Sequence, residues 1–104
     1  MKIMIINPNS DLGMTKAIQE TAENFAKDFE VTTVSTQGAP RFIETYEDQS
    51  EAAPGMIKLV RENEKEYDGF IIACHCDPNL DTMKEITKKP VVGIGEASMK
   101  IASM

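Results

Sequence analysis

Apolar residues run without a break from Ile3 to Ile6, and the run ends in Asn7-Pro-Asn-Ser10. So short an Ile-rich run, from Lys2 to Asn7, predicts a buried strand. Ser10 or Asp11 can then cap a helix. Met14, Ile18, Thr21 or Ala22, Phe25 and Phe29 recur at helical spacing, with Lys16, Glu20, Glu23 and Lys27 opposite, so 11–28 reads as an amphipathic helix. Val31–Ser35 is β-branched and predicts a second strand. Residues 36–50 lack a period and hold Gly38 and Pro40, which predicts a long loop. Helical spacing returns over 51–66, with Pro54 suited to a first turn. Gly69–Cys74 reads as a third strand. Asp77-Pro78 reads as an N-cap and first helical residue, opening a short helix that carries Leu80, Met83 and Ile86. Pro90–Ile94 reads as a fourth strand and Glu96–Met104 as a final helix.

Strands alternating with helices predict an α/β domain whose parallel sheet is covered on both faces, with right-handed crossovers. We expect one domain over 1–104, with four strands in the flavodoxin-like order 2-1-3-4. Ligands of such sheets sit beyond the carboxyl ends of the strands. Three stretches converge there: Asn7-Pro-Asn-Ser10, Cys74-His-Cys-Asp77 and Gly93-Ile-Gly-Glu96.

A chain of 104 residues can bury one core. Its formal charge of −6, without a Lys/Arg cluster, argues against a nucleic-acid partner. No apolar stretch approaches a membrane span. The N-terminal run is too short for a signal-peptide core, so the expected compartment is the cytoplasm. The two cysteines, one residue apart, are no disulfide framework.

Those cysteines flank the only histidine, so several chemistries compete. Zinc draws ligands from two separated pairs, and no second pair exists, so no metal is expected. A Cys-X-Cys disulfide closes a small, strained ring and departs from the usual redox spacing. A catalytic thiol at Cys74 fits the strand end, where a following helix N-terminus would favour thiolate. A buried cysteine acting as a small hydrophobe fits equally well. Asn7 and Asn9 suit turn chemistry or a donor facing a ligand carbonyl. Gly93-Ile-Gly95 lacks the third glycine of a dinucleotide loop, and Glu96 suits a helix N-terminus. Met14, Met56, Met83 and Met99 sit on helix faces and read as core filling.

The segments INPNS (6–10) with Met14-Thr15, GAPRFIET (38–45), EAAPG (51–55), DGFIIACHCDPNLD (68–81) and PVVGIGEASMKIAS (90–103), in that order, resemble the aspartate/glutamate racemase superfamily, and within it the hydantoin racemase branch. The resemblance spans the chain. It implies a cofactor-independent 1,1-proton transfer at a carbon beside a carbonyl, on an amino-acid derivative such as a hydantoin, aspartate or glutamate. It implies that Cys74 is one of two acid/base thiols and that Asn9 lines the substrate pocket. Ser10, Pro40, Arg41, His75 and Cys76 complete the expected substrate-binding set, with Arg41 able to hold a carboxylate. Cys76 stands where the family usually has glycine and inherits no catalytic role; as the i+2 neighbour it would approach from the same side as Cys74. The two thiols must flank the substrate, each roughly 3–3.5 Å from the reacting carbon. Family members are longer, with two similar α/β halves and the second cysteine in the other half. This sequence matches the first half alone. It therefore stands as part of a longer protein, as a homo-oligomer whose two-fold axis rebuilds the site, or as a non-catalytic binding or oligomerisation half-domain.

Overall fold

The computed structural model describes residues 1–103. The elements are β1 (Lys2–Asn7), α1 (Leu12–Phe25), β2 (Glu30–Ser35), α2 (Tyr46–Asn63), β3 (Gly69–Ile72), α3 (Leu80–Ile86), β4 (Val91–Gly93) and α4 (Ile94–Ala102). All strand pairs are parallel, as the alternation predicts, and the order is β2-β1-β3-β4, the flavodoxin-like order expected. Ile6 lies opposite both Val34 and Ile72 in the register, so the loops after β1, β2 and β3 leave the sheet side by side. The Met104 end of the expected final helix lies outside the described residues. No helix among those described is long and apolar enough to cross a membrane.

The strand period of two sorts the side chains onto two unequal faces. Met4, Ile6, Phe70, Ile72 and Val91 pack with Ala52, Met56 and Val60 of α2 and with Leu80 and Met83 of α3 into a closed core. On the opposite face Ile5 is buried, Ile3 and Ile71 are half-buried, and Val92 is 42% exposed. Neither α1 nor α4 has a buried residue. The amphipathic helix expected over 11–28 is present but shorter, and its apolar stripe is not enclosed: Met14 and Phe25 are exposed. A polar clasp fastens α1 to the edge strand. The Gln19 amide donates to the Val31 carbonyl (3.0 Å) and accepts from Thr33 N–H (2.7 Å).

The expected loop over 36–50 is corrected most. Helix α2 starts at Tyr46, because Thr45 and Asp48 form a reciprocal cap. Thr45 Oγ1 accepts from Asp48 N–H (3.1 Å), and the Asp48 carboxylate accepts from the N–H groups of Glu44 (2.8 Å) and Thr45 (3.0 Å). Those backbone donors, Glu44 first, hold the Asp48 carboxyl below its ordinary range. Pro54 therefore lies inside the helix, beyond the first turn. Gly55 beside it lets α2 press on the loop after β2, where an added Cβ would come 2.5 Å from the Gln37 carbonyl oxygen. Thr45→Ala should remove this start signal and lower the Tm by about 5 °C; a melt unchanged within a degree would refute the cap.

Candidate active site

Asn7, at the end of β1, has no exposed surface. Its side-chain nitrogen donates to Asn9 Oδ1 (2.8 Å), Thr15 Oγ1 (3.0 Å) and the Asp11 carbonyl (3.4 Å). Asn9 Oδ1 also accepts from Asp11 N–H (2.9 Å). Thr36, equally buried, donates its hydroxyl to the Asn7 carbonyl (2.8 Å) and its N–H to the Asn9 carbonyl (3.0 Å). The first loop is thus a closed polar network with few soft torsions. The side-chain nitrogen of Asn9 meets the sulfur of Met14 at 3.4 Å. A thioether is a weak acceptor, so this amide keeps donor capacity for a ligand.

Ser10 N–H donates to the Pro40 carbonyl (3.0 Å), which ties the first loop to the segment before α2. Asn9, Ser10 and Pro40 therefore belong to one unit. Arg41 next to them is turned outward. It is 74% exposed, its Nε lies 3.7 Å from Asp11 Oδ1, and its guanidinium stacks 5.4 Å from the centre of the Phe42 ring.

The loop after β3 differs from the expected strand and cap. The strand ends at Ile72, Ala73 N–H makes one further bond to the Ile6 carbonyl (3.0 Å), and the chain then turns. The turn closes with Asp77 N–H on the Cys74 carbonyl (3.0 Å). Asp77 and Asn79 both take the left-handed conformation, with φ of 46° and 60°. For this reason Asp77-Pro78 does not open α3, which begins at Leu80 after Asn79. The Asn79 amide instead donates to the Gln49 carbonyl on α2 (2.8 Å).

The Asp77 carboxylate caps a different helix. It accepts from the N–H groups of Gly95 (2.8 Å) and Glu96 (2.6 Å), in the first turn of α4. Gly93 and Gly95, which read as a failed nucleotide loop, are what permit this. A Cβ on Gly93 would strike the Asp77 carboxylate, and one on Gly95 would strike both that carboxylate and the His75 carbonyl. Glu96 pairs with Lys84 of α3 (2.9 Å), and the hydrogen bond from Lys84 holds its carboxyl below the ordinary value.

Cys74 is half-buried, while His75 and Cys76 are exposed. Because the segment turns, the two sulfurs lie side by side, 3.4 Å apart. The Cys76 thiol is pushed up to about 11, through loss of water around its sulfur, then the hydrogen bond with Cys74 and repulsion from it. Two thiolates this close repel, so the pair gives up its second proton reluctantly. The folded chain therefore holds this proton more tightly than the unfolded chain. The stability it contributes is complete below the ordinary thiol pKa and is lost as pH rises through about 11.

A groove of about 870 Å³ lies at the β2 side, with Thr15, Ser35, Gln37, Gly55 and Lys58 in its walls. It offers no thiol and does not include the Cys74 turn, so the chemistry points to the ends of β1 and β3 instead.

The matching family model is that of Asp/Glu/hydantoin racemases, over residues 3–104. The chain belongs to this family. It is 45% identical to a hydantoin racemase of Pseudomonas sp. (strain NS671), across all of this chain and 43% of that protein. It is 35% identical to the hydantoin racemase of Paenarthrobacter aurescens, across 99% of this chain and 45% of that one. Among solved structures, an allantoin racemase from Klebsiella pneumoniae superposes with a TM-score of 0.92 at 36% identity, covering 100% of this chain and 43% of its own. The chain thus spans less than half the length of these racemases.

Sequence reasoning missed Thr15 and Thr36 and misassigned Asp77. A left-handed Asp before proline gives no local signal. The two glycines around Ile94 were the available clue to a close approach.

Proposed function

We propose that this racemase-family domain supplies one acid/base thiol, Cys74, to a cofactor-independent proton transfer at a carbon beside a carbonyl. The observation that carries the reading is the half-buried Cys74 at the carboxyl edge of the sheet, next to the preorganised Asn7-Asn9 loop. Removing a proton from such a carbon builds an enolate, whose oxygen needs fixed donors. The Asn9 amide and the backbone N–H groups of His75 and Cys76 are suited to that role.

A neutral five-membered cyclic ureide of the hydantoin type is the favoured substrate class. The Arg41 guanidinium, the cation expected to hold a carboxylate, already lies beside Asp11, which weakens the reading for aspartate or glutamate. Two of the similar proteins are named for hydantoin and a third for allantoin.

Racemisation needs a second thiol on the opposite face of the carbon. Cys76 shares a turn with Cys74 and approaches from the same side. The opposing group then comes from a second α/β half or from a second copy across a two-fold axis. A cytoplasmic location is part of the same proposal, since that compartment keeps thiols such as Cys74 and Cys76 reduced.

The test is deuterium wash-in at C5 of a 5-substituted hydantoin, followed by NMR as protein-dependent rate. Exchange should fall at least 100-fold in Cys74→Ser and stay within a few-fold in Cys76→Ser. Exchange without loss of optical activity identifies a single working thiol; racemisation requires the dimer, which sedimentation must then show. A folded chain that exchanges no hydantoin, aspartate or glutamate proton would replace this reading with that of a non-catalytic binding half-domain.

A further inference from the structure

The Cys76 side chain has no part in the proposed proton transfer, yet its sulfur touches that of Cys74. We infer that Cys74 and Cys76 form a reversible dithiol, in which Cys76 resolves an oxidised Cys74 by closing an intramolecular disulfide. The sulfurs are 3.4 Å apart in the reduced chain. Bond formation needs an approach to roughly 2 Å, over a distance that side-chain rotation and a small flexing of the turn supply. The turn is open to reagents, since His75 and Cys76 are exposed and Cys74 is half-buried. Both sulfurs sit on a single turn pinned at its far end by the Asp77 bonds to Gly95 and Glu96. Flexing is thereby confined to the few residues between the thiols.

The small ring of a Cys-X-Cys disulfide stores strain. That strain counts against a permanent structural crosslink. It favours one that thiols readily reverse, because strained and exposed disulfides have the higher reduction potentials.

The steps balance with a peroxide as oxidant. The Cys74 thiolate attacks one peroxide oxygen, the O–O bond breaks, and the leaving oxygen departs as hydroxide, or as water once protonated. Cys74 is then a sulfenic acid, oxidised by two electrons. The Cys76 sulfur attacks the Cys74 sulfur, the S–O bond breaks, and the hydroxyl leaves as water with the proton from Cys76. A small-molecule thiol restores both groups through a mixed disulfide. The Cys76 thiol lies against the Cys74 sulfur, so its proton is at hand for the leaving hydroxyl as the S–S bond forms.

The experiment uses the whole chain, hydrogen peroxide as probe, maleimide trapping and intact mass. Wild type should lose two hydrogens, take up no maleimide, and regain two maleimide sites after dithiothreitol. Cys76→Ser should instead over-oxidise at Cys74 to the sulfinic acid, a gain of two oxygens on the Cys74 peptide that dithiothreitol does not remove, at a several-fold lower peroxide dose than wild type needs for the same gain at that residue. As a check independent of variants, one equivalent of phenylarsine oxide, which bridges neighbouring thiols, should mask both sites in wild type. Oxygen gain in wild type equal to that in Cys76→Ser would overturn the inference, as would disulfides formed only between chains, or an arsenical that masks neither site.

These readouts are independent of catalysis. Loss of hydantoin exchange on closure rests on the acid/base reading above. A disulfide that forms in a chain with no exchange activity would retain the dithiol and discard the racemase role.

Discussion

Asp77→Ala should lower stability by about 2–3 kcal/mol, from two charge-assisted bonds lost at a helix start. In a domain of this size that is a drop in Tm on the order of 10 °C or more. The carboxylate caps the N-terminus of α4 from outside the helix, because Gly93, in the N-cap position, has no side chain to offer. Asp77→Asn sharpens the test. It keeps one acceptor but turns the other into a donor that faces an N–H. Asparagine should therefore restore less than half of the loss, whereas a purely space-filling role predicts full rescue. A second readout follows from position. The Asp77 carboxylate braces the far end of the turn that holds Cys74 and Cys76, so the alanine variant should also lose the rapid pairing of these thiols under peroxide. A melt and a thiol titration that both match wild type would remove Asp77 from its place as the brace of the loop.

Replacing Asn7 should be about as costly. In Asn7→Leu the donors to Asn9 and Thr15 vanish, and the oxygen that accepts from Asn9 N–H (3.4 Å) goes with them. Each lost partner is buried or partly buried, and the sum should reach about 3 kcal/mol. Asn7→Asp should be informative in another way. Its carboxylate would sit without water, facing Asn9 Oδ1 and the Asp11 carbonyl, so its folded pKa would rise above the ordinary carboxylate value. A raised carboxyl pKa means that the folded state binds the proton more tightly. The variant should then be most stable in acid and lose stability as pH climbs from about 4 towards 7. Urea melts across that range check the sign, and a flat profile would show that the site is wet or adaptable.

Much of this architecture was legible from residue spacing. The bounds of β1 were read correctly because an unbroken apolar run ends in Asn-Pro-Asn; alternation and handedness pointed to a parallel sheet, and the order 2-1-3-4 rested on the flavodoxin-like layout. The start of α2 was not read, because Thr45-x-x-Asp48 caps with aspartate where glutamate is the familiar partner, and because Pro54 looked like a first-turn residue. The end of β3 was placed two residues late, since nothing in Ile-Ala-Cys announces a turn. Asp77 was assigned to the nearer helix. Its real partner is α4, a contact 18 and 19 residues along the chain, and non-local pairing leaves no periodic trace. The neighbouring sulfurs were also invisible, because an extended reading places alternate side chains about two residue rises apart, whereas a turn folds them together.

The two faces of the sheet differ in a way that reaches beyond packing. Helix α2 carries three buried side chains and α3 adds two more, while α1 and α4 contribute none. Opening α2 exposes the core, and so costs nearly the full free energy of unfolding. Opening α1 or α4 breaks a few polar contacts, the Gln19 clasp and the Asn7–Thr15 bond in one case, the Asp77 cap and the Lys84–Glu96 pair in the other. The chain is thus a cooperative unit on one side and a set of fraying segments on the other, with its amide protons exchanging at correspondingly different rates. The Cys74 turn lies on the boundary, tied to the slow side through Asn79 and to the fast side through Asp77.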